Sequence, residues 1–355
     1  MLYQPLHCHT YYSPLDGLNS PLEYMQRAKE LGMTHFSITD HGTMSGHRDA
    51  QIAGKETGII PILGMEGYVS ATDRFDRRAN TKREDGTSIY NHITLLAQNE
   101  AGLKTLNRLN ETAWTEGYYY KPRIDTELLE EDHEGIVVLS GCMSGLVAKA
   151  ILNGDVDTAE QWARRYSAIL GDNYYIEVMS SNDPALNHEL LRIADKFNIR
   201  PVMTSDCHYA KPEDLWVEEA MLILATNPKK DHSADLSKAK KMDILDRFDY
   251  LYPNRTMTFR EIEIYLRDGK TEREKFMAQG ISRTDIYENT FRIAEGVGEY
   301  PFYAGLDLLP NPEVGSDPAK VLRAKAEAGL RRLGLDSSQP HVDRLNEELG
   351  IIIPK

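Results

Sequence analysis

The sequence predicts an α/β fold with a mainly parallel sheet, followed by a mainly helical C-terminal part. Three observations carry this. Short apolar, β-branched runs alternate with stretches of helical periodicity up to about residue 210, the pattern of successive βα units. Beyond that point the strand signals fade and helices with loops take over. The 355 residues suit two domains, or one large α/β barrel with an appendage.

The strand runs are Leu2–Leu6, His35–Thr39, Ile59–Leu63, Ile93–Ala97, Ile136–Leu139, Tyr174–Met179 and Pro201–Thr204. A first helix starts at Pro21, with Ser20 as N-cap and Glu23 completing a capping box. Further helices are expected over Gly102–Leu109, over Thr158–Leu170 with Trp162, Tyr166 and Ile169 on one face, and over Leu186–Phe197. Glu213–Ala225 and Thr284–Val297 follow in the helical part. Residues 301–320 hold Pro301, Pro310, Pro312 and Pro318 and read as a linker or crossing segment. Pro318–Leu333 and Val342–Leu349 read as closing helices. The resulting division is a barrel core over about 1–225, a helical part over 226–300, and linker plus helices over 301–355.

Composition narrows the class. With 41% hydrophobic and 27% charged residues, the chain buries a core and is not intrinsically disordered. No charge-free apolar run is long enough to span a membrane, and the first residues lack the pattern of a secretory signal. Three cysteines, Cys8, Cys142 and Cys207, fit a reducing cytoplasm without a disulfide framework. A net charge of −14 excludes a globally basic nucleic-acid coat but not a local basic groove or metal site. Residues 74–83 form one such local patch, with five basic groups against one acid.

The chemistry lies in nine potential metal ligands: His7, His9, Asp16, His41, Glu66, His92, Cys142, Asp206 and His208. Successive steps from Asp16 through His41 and Glu66 to His92 are 25, 25 and 26 residues, and Cys142 follows 50 later. A βα unit consumes roughly that length, so ligand types recur near corresponding strand ends, where parallel strands deliver residues to one face. His92 fits least well, because it precedes its apolar run and enters from the strand's start or from a loop. In His7-Cys8-His9 and Asp206-Cys207-His208 the outer residues share one side of an extended chain, leaving Cys8 and Cys207 for core packing and Cys142 as a ligand.

Imidazole, thiolate and carboxylate together suit zinc or a similar transition metal rather than Mg²⁺ or Ca²⁺. Nine ligands suit two or three ions, with one carboxylate bridging, a device for phosphoester hydrolysis. Taken singly, each residue has a blander reading. A lone histidine is packed or surface-exposed, which is assigned to His35, His47, His133, His188, His232 and His341, and Asp16-Gly17 alone is a turn. Asp155-Val156-Asp157 reads as a helix N-cap.

Seven motifs make the chain recognisable: LHCHTYYSPLDG at 6–17, ITDHG at 38–42, PILGMEGYV at 61–69, NHITLLAQN at 91–99, GYYYKPRID at 117–125, LSGCMSG at 139–145 and TSDCHY at 204–209. They resemble the PHP (polymerase and histidinol phosphatase) domain at the N-terminus of bacterial replicative DNA polymerase III alpha subunits. The resemblance runs from residue 3 to about 225 and more weakly to LLPNPEVGSDPAKVLRAKAEAGLRRLG at 308–334, which looks like the join to the polymerase palm. It implies a distorted (β/α)7 barrel holding three divalent transition-metal ions, zinc or alternatively manganese. His7, His9, Glu66 and Asp206 would hold the first ion, Glu66 with His92 and Cys142 the second, and Asp16, His41 and His208 the third. Glu66, Asp206 and His208 would carry the catalysis, and the intact set resembles the branch with 3′→5′ exonuclease activity.

The resemblance implies DNA, at the 3′ end of a primer strand, as the macromolecular partner, together with the rest of a polymerase and other replisome subunits. Arg77, Arg78, Tyr119, Lys121 and Arg123 are the expected substrate contacts, with Arg74, Lys82, Arg83, Tyr118 and Tyr120 beside them. Full-length family members are DNA-directed DNA polymerases, but the paired palm aspartates of that activity lie beyond the region covered, so the chain is expected to be an N-terminal piece or a stand-alone relative. Two competing readings are a small-molecule phosphoesterase of the histidinol-phosphate type, expected to show a closed pocket with a phosphate-clamping arginine, and a non-catalytic, metal-stabilised scaffold module.

Overall fold

The computed structural model describes residues 3–77, 90–298, 300 and 317–353. The chain divides into two compact units, Met1–Phe302 and Tyr303–Lys355. In the first, α1 (Pro21–Glu30) precedes β1 (His35–Ile38), α2 (His47–Thr57) and β2 (Ile60–Val69). Then come β3 (Asn91–Ala97), α3 (Glu100–Thr115), β4 (Arg123–Ile124), α4 (Thr126–Glu131) and β5 (Ile136–Leu139). They are followed by α5 (Leu146–Leu152), α6 (Val156–Leu170), β6 (Tyr174–Met179), α7 (Pro184–Phe197) and β7 (Arg200–Thr204). The helical part holds α8 (Leu215–Thr226), α9 (Leu236–Ala239), α10 (Ile244–Leu251), α11 (Gly269–Ala278) and α12 (Asp285–Glu295). Among the described residues no helix is long and apolar enough to cross a membrane.

Local chemistry sets many of these boundaries. Ser20 and Glu23 form the capping box of α1, and Asp155 caps α6 by accepting from the Thr158 amide. Asn99, Asp125 and Asp183 cap α3, α4 and α7 in the same way. Three helices, α2, α4 and α5, go beyond the sequence expectation. Each is short or rich in small residues, so tertiary packing contributes much of its stability.

The sheet is curled and runs β1-β2-β3-β5-β6-β7, with β4 paired to β2. All pairings are parallel except those of β3, which runs antiparallel to both β2 and β5. The run expected as a strand at Leu2–Leu6 forms no regular strand over its described residues. It still connects β1 and β7: Ser37 and Thr39 donate to the Pro5 and Cys8 carbonyls, while His9 and Cys207 exchange hydrogen bonds with Cys207 and His7. Both edges of the curled sheet therefore bind one N-terminal segment. Its inner faces are apolar, with Phe36, Leu63, Leu95, Val138, Ile176 and Met203 all buried. Cys8 and Cys207 lie in that core as free thiols.

In the second unit, α13 (Pro318–Arg332) and α14 (Gln339–Ile352) are joined by a hydrogen bond from Arg323 to Asn346. Of the Pro-rich stretch 301–320, residues 301–316 lie outside the described residues.

Candidate metal centre

All nine side chains singled out from the sequence converge at one mouth of the curled sheet. Parallel strands deliver His41 just after β1, Glu66 near the end of β2, Cys142 after β5, and Asp206 and His208 after β7. The irregular position of His92 has a physical cause. Because β3 is antiparallel, its N-terminal end lies where its neighbours' C-terminal ends lie, and His92 pairs with Tyr68 two residues beyond Glu66.

Glu66 is at the middle of the cluster. Its Oε1 lies 2.8 Å from His92 Nδ1 and 3.2 Å from His7 Nε2. Its Oε2 lies 2.6 Å from His41 Nδ1 and 3.5 Å from His9 Nε2. Asp206 Oδ1 is 3.2 Å and 3.4 Å from the Nε2 atoms of His9 and His7. On the other side Asp16 Oδ2 meets His41 Nε2 at 2.5 Å and His208 Nε2 at 3.2 Å. Cys142 Sγ stands 3.6 Å from Glu66 Oε1 and 3.5 Å from His92 Nδ1.

Backbone geometry serves this convergence. Gly141, at φ +84°, turns the chain so that Cys142 follows it into the mouth; a Cβ there would also lie 2.5 Å from the His92 carbonyl. Asp206 itself adopts φ +46°, an unfavourable region for a side-chain-bearing residue, of the kind that clusters at functional sites.

The electrostatics follow from this crowding of buried imidazoles and carboxylates. Burial alone would raise the Glu66 carboxyl, but His92, His41 and His7 outweigh it and hold Glu66 well below its usual range. Burial likewise opposes His41, yet Glu66 and Asp16 push it up to about 9. His9 is pushed down to about 4 by burial and by the neighbouring His41. Burial and the charges of Glu66 and Asp206 push the Cys142 thiol up, and a dication would reverse that field. Three buried atoms, His41 Nδ1, Glu66 Oε2 and Asp206 Oδ1, have no hydrogen bond. Although His41 Nδ1 and Glu66 Oε2 are close, they lack hydrogen-bond alignment. Buried nitrogen and oxygen atoms that converge unsatisfied beside a thiol are what divalent metal coordination requires, so the donor set fits metal ions.

Several residues that the sequence did not reveal support this centre. Glu177, in β6, accepts from His7 Nδ1 at 2.7 Å, from Thr204 at 2.5 Å and from Thr94 at 3.2 Å. That fixes the ring so that Nε2 faces Glu66 and Asp206. Asp40 accepts from the Thr10 amide, the Thr10 hydroxyl and the Ser13 hydroxyl, ordering the loop that carries His9 and Asp16. A charged residue inside an apolar strand was the only sequence sign of Glu177. Glu218 in α8, fully buried, is pushed up to about 8 by burial, His208 opposing and Asp16 adding.

The expected substrate contacts divide. Arg123 is fully buried, and its guanidinium donates to the carbonyls of Gly117, Asp76 and Arg74. This corrects the expectation of a phosphate contact, since the donors are spent on ordering the chain. Arg74 is bound to Glu116 and Asp125. Tyr119 is half-buried beneath the Arg123 guanidinium. Arg77 and Lys121 are exposed, and Lys121 Nζ lies over the Tyr68 ring, which itself flanks His41 and His92. Arg78, Lys82 and Arg83 lie outside the described residues. The remaining histidines are packed or exposed as expected; His47, for example, is buried against the Gly64 carbonyl.

These features define a class: a curled α/β sheet that gathers imidazoles, carboxylates and a thiol at the mouth of its strands into a centre able to hold metal ions. Residues 5–181 match the PHP domain, and the chain belongs to that family. It is 39% identical to DNA polymerase III subunit alpha of Aquifex aeolicus, over 98% of this chain and 29% of that protein. With the subunit of the same name from Treponema pallidum the identity is 35%, over 99% and 28%. The chain thus spans under a third of the length of these relatives. Among solved structures, an amidohydrolase from Chromobacterium violaceum with bound sulfate aligns over 60% of this chain and 89% of its own, at 18% identity and a TM-score of 0.38.

Proposed function

We propose that the chain is a metal-dependent phosphoesterase that removes nucleotides from the 3′ end of DNA, working within a DNA polymerase III alpha subunit or as a relative of it. The observation that carries the reading is the convergence of nine candidate ligand side chains, with Glu66 at their middle. His7, His9, Glu66 and Asp206 would hold one ion, Glu66, His92 and Cys142 a second, and Asp16, His41 and His208 a third. Zinc is the first choice for this donor set and manganese the second. Bound ions would supply a hydroxide nucleophile at neutral pH and neutralise phosphate oxygens.

The chain's own residues supply position. Glu177 orients His7, and Asp40 orders the loop of His9 and Asp16. Beside the mouth stands an exposed aromatic ledge. Trp114 and Tyr118 stack at 5.5 Å, the Trp114 indole donates to the Gly42 carbonyl next to His41, and Tyr120 projects into solvent. With Lys121 and Arg77 these groups suit a single strand leading to the metals, through stacking and local phosphate contacts rather than long-range attraction. Arginine and lysine are absent from the described residues lining the central cavity, which argues against a closed, arginine-clamped small-molecule site. In this reading residues 1–300 carry the hydrolytic domain and 301–355 lead toward the rest of a polymerase, in the cytoplasm.

Chelator-treated protein restored with Zn²⁺ or Mn²⁺ and offered a 3′-mismatched primer tests the proposal. Mononucleotides should appear with metal, and Asp206→Asn should abolish their release while the protein still folds. Metal-dependent thermal stabilisation with no turnover would instead identify a scaffold module.

A further inference from the structure

The centre is walled on one side by groups that no metal needs. Met257, Phe259, Ile262 and Ile264 come from the irregular chain between α10 and α11, and with Met143 and Met179 they line a cavity of about 190 Å³ whose other side is Asp16, Glu66, Asp206 and His208. The Phe259 ring lies 5.9 Å from that of His208. Met257 is half exposed.

This wall is held in place by a dedicated buried charge. Glu219, in α8, is fully buried. It accepts from the Phe259 amide at 2.5 Å, from the Thr258 hydroxyl at 3.0 Å and from the Arg255 guanidinium. Arg255 is in turn bound to Asp249. Further along, the His208 amide donates to the Ile264 carbonyl, so the wall and a metal-ligand candidate share a backbone hydrogen bond. An apolar surface fixed this firmly beside the candidate metal centre offers a resting place for an apolar part of a ligand.

We propose that Met257, Phe259, Ile262 and Ile264 form the subsite for the terminal nucleobase of the strand being hydrolysed. The proposal rests on the phosphoesterase reading and adds the substrate part that is recognised. A nucleotide is the ligand that joins a phosphate to a flat, largely apolar face. Phenylalanine stacks on such faces and methionine sulfur contacts them favourably. The cavity is smaller than the roughly 300 Å³ at which ordinary ligand pockets begin, so it admits one base and excludes a duplex. A paired terminus must fray before it enters, which favours mismatched ends. Stacking has little dependence on base identity, so all four bases are accepted. Glu219 acts as a positioning residue by pinning Phe259.

Calorimetric binding of dAMP, dCMP and 2-deoxyribose 5-phosphate to the zinc-loaded protein tests this without turnover. Both nucleotides should bind about tenfold tighter than the sugar phosphate, the scale of one base–aromatic stack. Phe259→Ala should remove that preference and leave sugar-phosphate affinity unchanged. Met257→Ala, at a half-exposed position that folding tolerates, should reduce it. Glu219→Gln should weaken nucleotide binding more than sugar-phosphate binding. Equal affinity for nucleotide and sugar phosphate in the wild type, or an undiminished preference in both Phe259→Ala and Met257→Ala, would overturn the subsite. If the nucleotide preference holds but no oligonucleotide is cut, the phosphodiesterase reading fails and the subsite stands.

Discussion

Replacing Glu177 by glutamine isolates the contribution of a group that touches no metal. In the wild type the His7 Nδ1–H points at Glu177 Oε1, 2.7 Å away, with both side chains fully buried. That contact fixes the tautomer, leaving the Nε2 lone pair toward Glu66 and Asp206, and the carboxylate charge raises ring basicity. Glutamine is nearly the same size and its single oxygen can keep one of the hydrogen bonds that Thr94 and Thr204 donate to separate carboxylate oxygens, but it is neutral. It can also present its amide N–H to Nδ1, which would move the ring proton to Nε2 and block the coordinating position. Loss of such an outer carboxylate costs 10- to 100-fold in metal affinity, or about 1.4–2.8 kcal/mol. Titrating zinc into chelator-treated protein against a chromogenic chelator measures this, with circular dichroism as the check on folding. A folded Glu177→Gln variant whose zinc affinity stays within twofold of wild type would refute the reasoning, because it would mean that the carboxylate neither sets the tautomer nor tunes the ring.

Two further outcomes follow from buried groups. Arg123→Ala should leave the buried carbonyls of Gly117 and Asp76 and the partly buried carbonyl of Arg74 without their donor and destabilise the protein by about 3 kcal/mol; urea unfolding checks this, and zinc affinity should remain as in the wild type. His47 is pushed down to about 4 by burial, which outweighs its hydrogen bond with Gly64. The unfolded chain therefore takes up a proton at this residue between pH 6.5 and 4 that the folded chain does not, so stability falls as pH drops through that window, by at most roughly 3 kcal/mol. His47→Gln should flatten that acid limb in urea titrations at successive pH values, and an unchanged slope would show that His47 is not its source.

The convergence of the nine candidate side chains was legible in the sequence because a repeating βα unit turns distance along the chain into position around a mouth. A step of about 25 residues returns the chain to the same side of the sheet, so His41 and Glu66 could be assigned to one site before any contact was known. Capping chemistry was equally local: Ser20, Glu23 and Asp155 act within their own turns, and their neighbours in sequence are their partners. Alternation also placed Cys8 and Cys207 in the core, between candidate ligands that face the other way.

Tertiary structure alone decided the rest, since burial and partner choice depend on residues distant in the chain. The reversal of β3 brought His92 to the mouth, and strand direction is set by which neighbours it pairs with, not by its own residues. Arg123 looked like a phosphate ligand among exposed tyrosines, yet folding closed carbonyls from residues 74, 76 and 117 around it and used up its donors. Glu177 had no partner in its own strand; His7 and Thr94 reach it across 170 and 83 residues of chain. The apolar wall at Met257–Ile264 carries no motif. It became part of the centre because Glu219, buried in a different element, holds Phe259 by its amide, a contact spanning 40 residues.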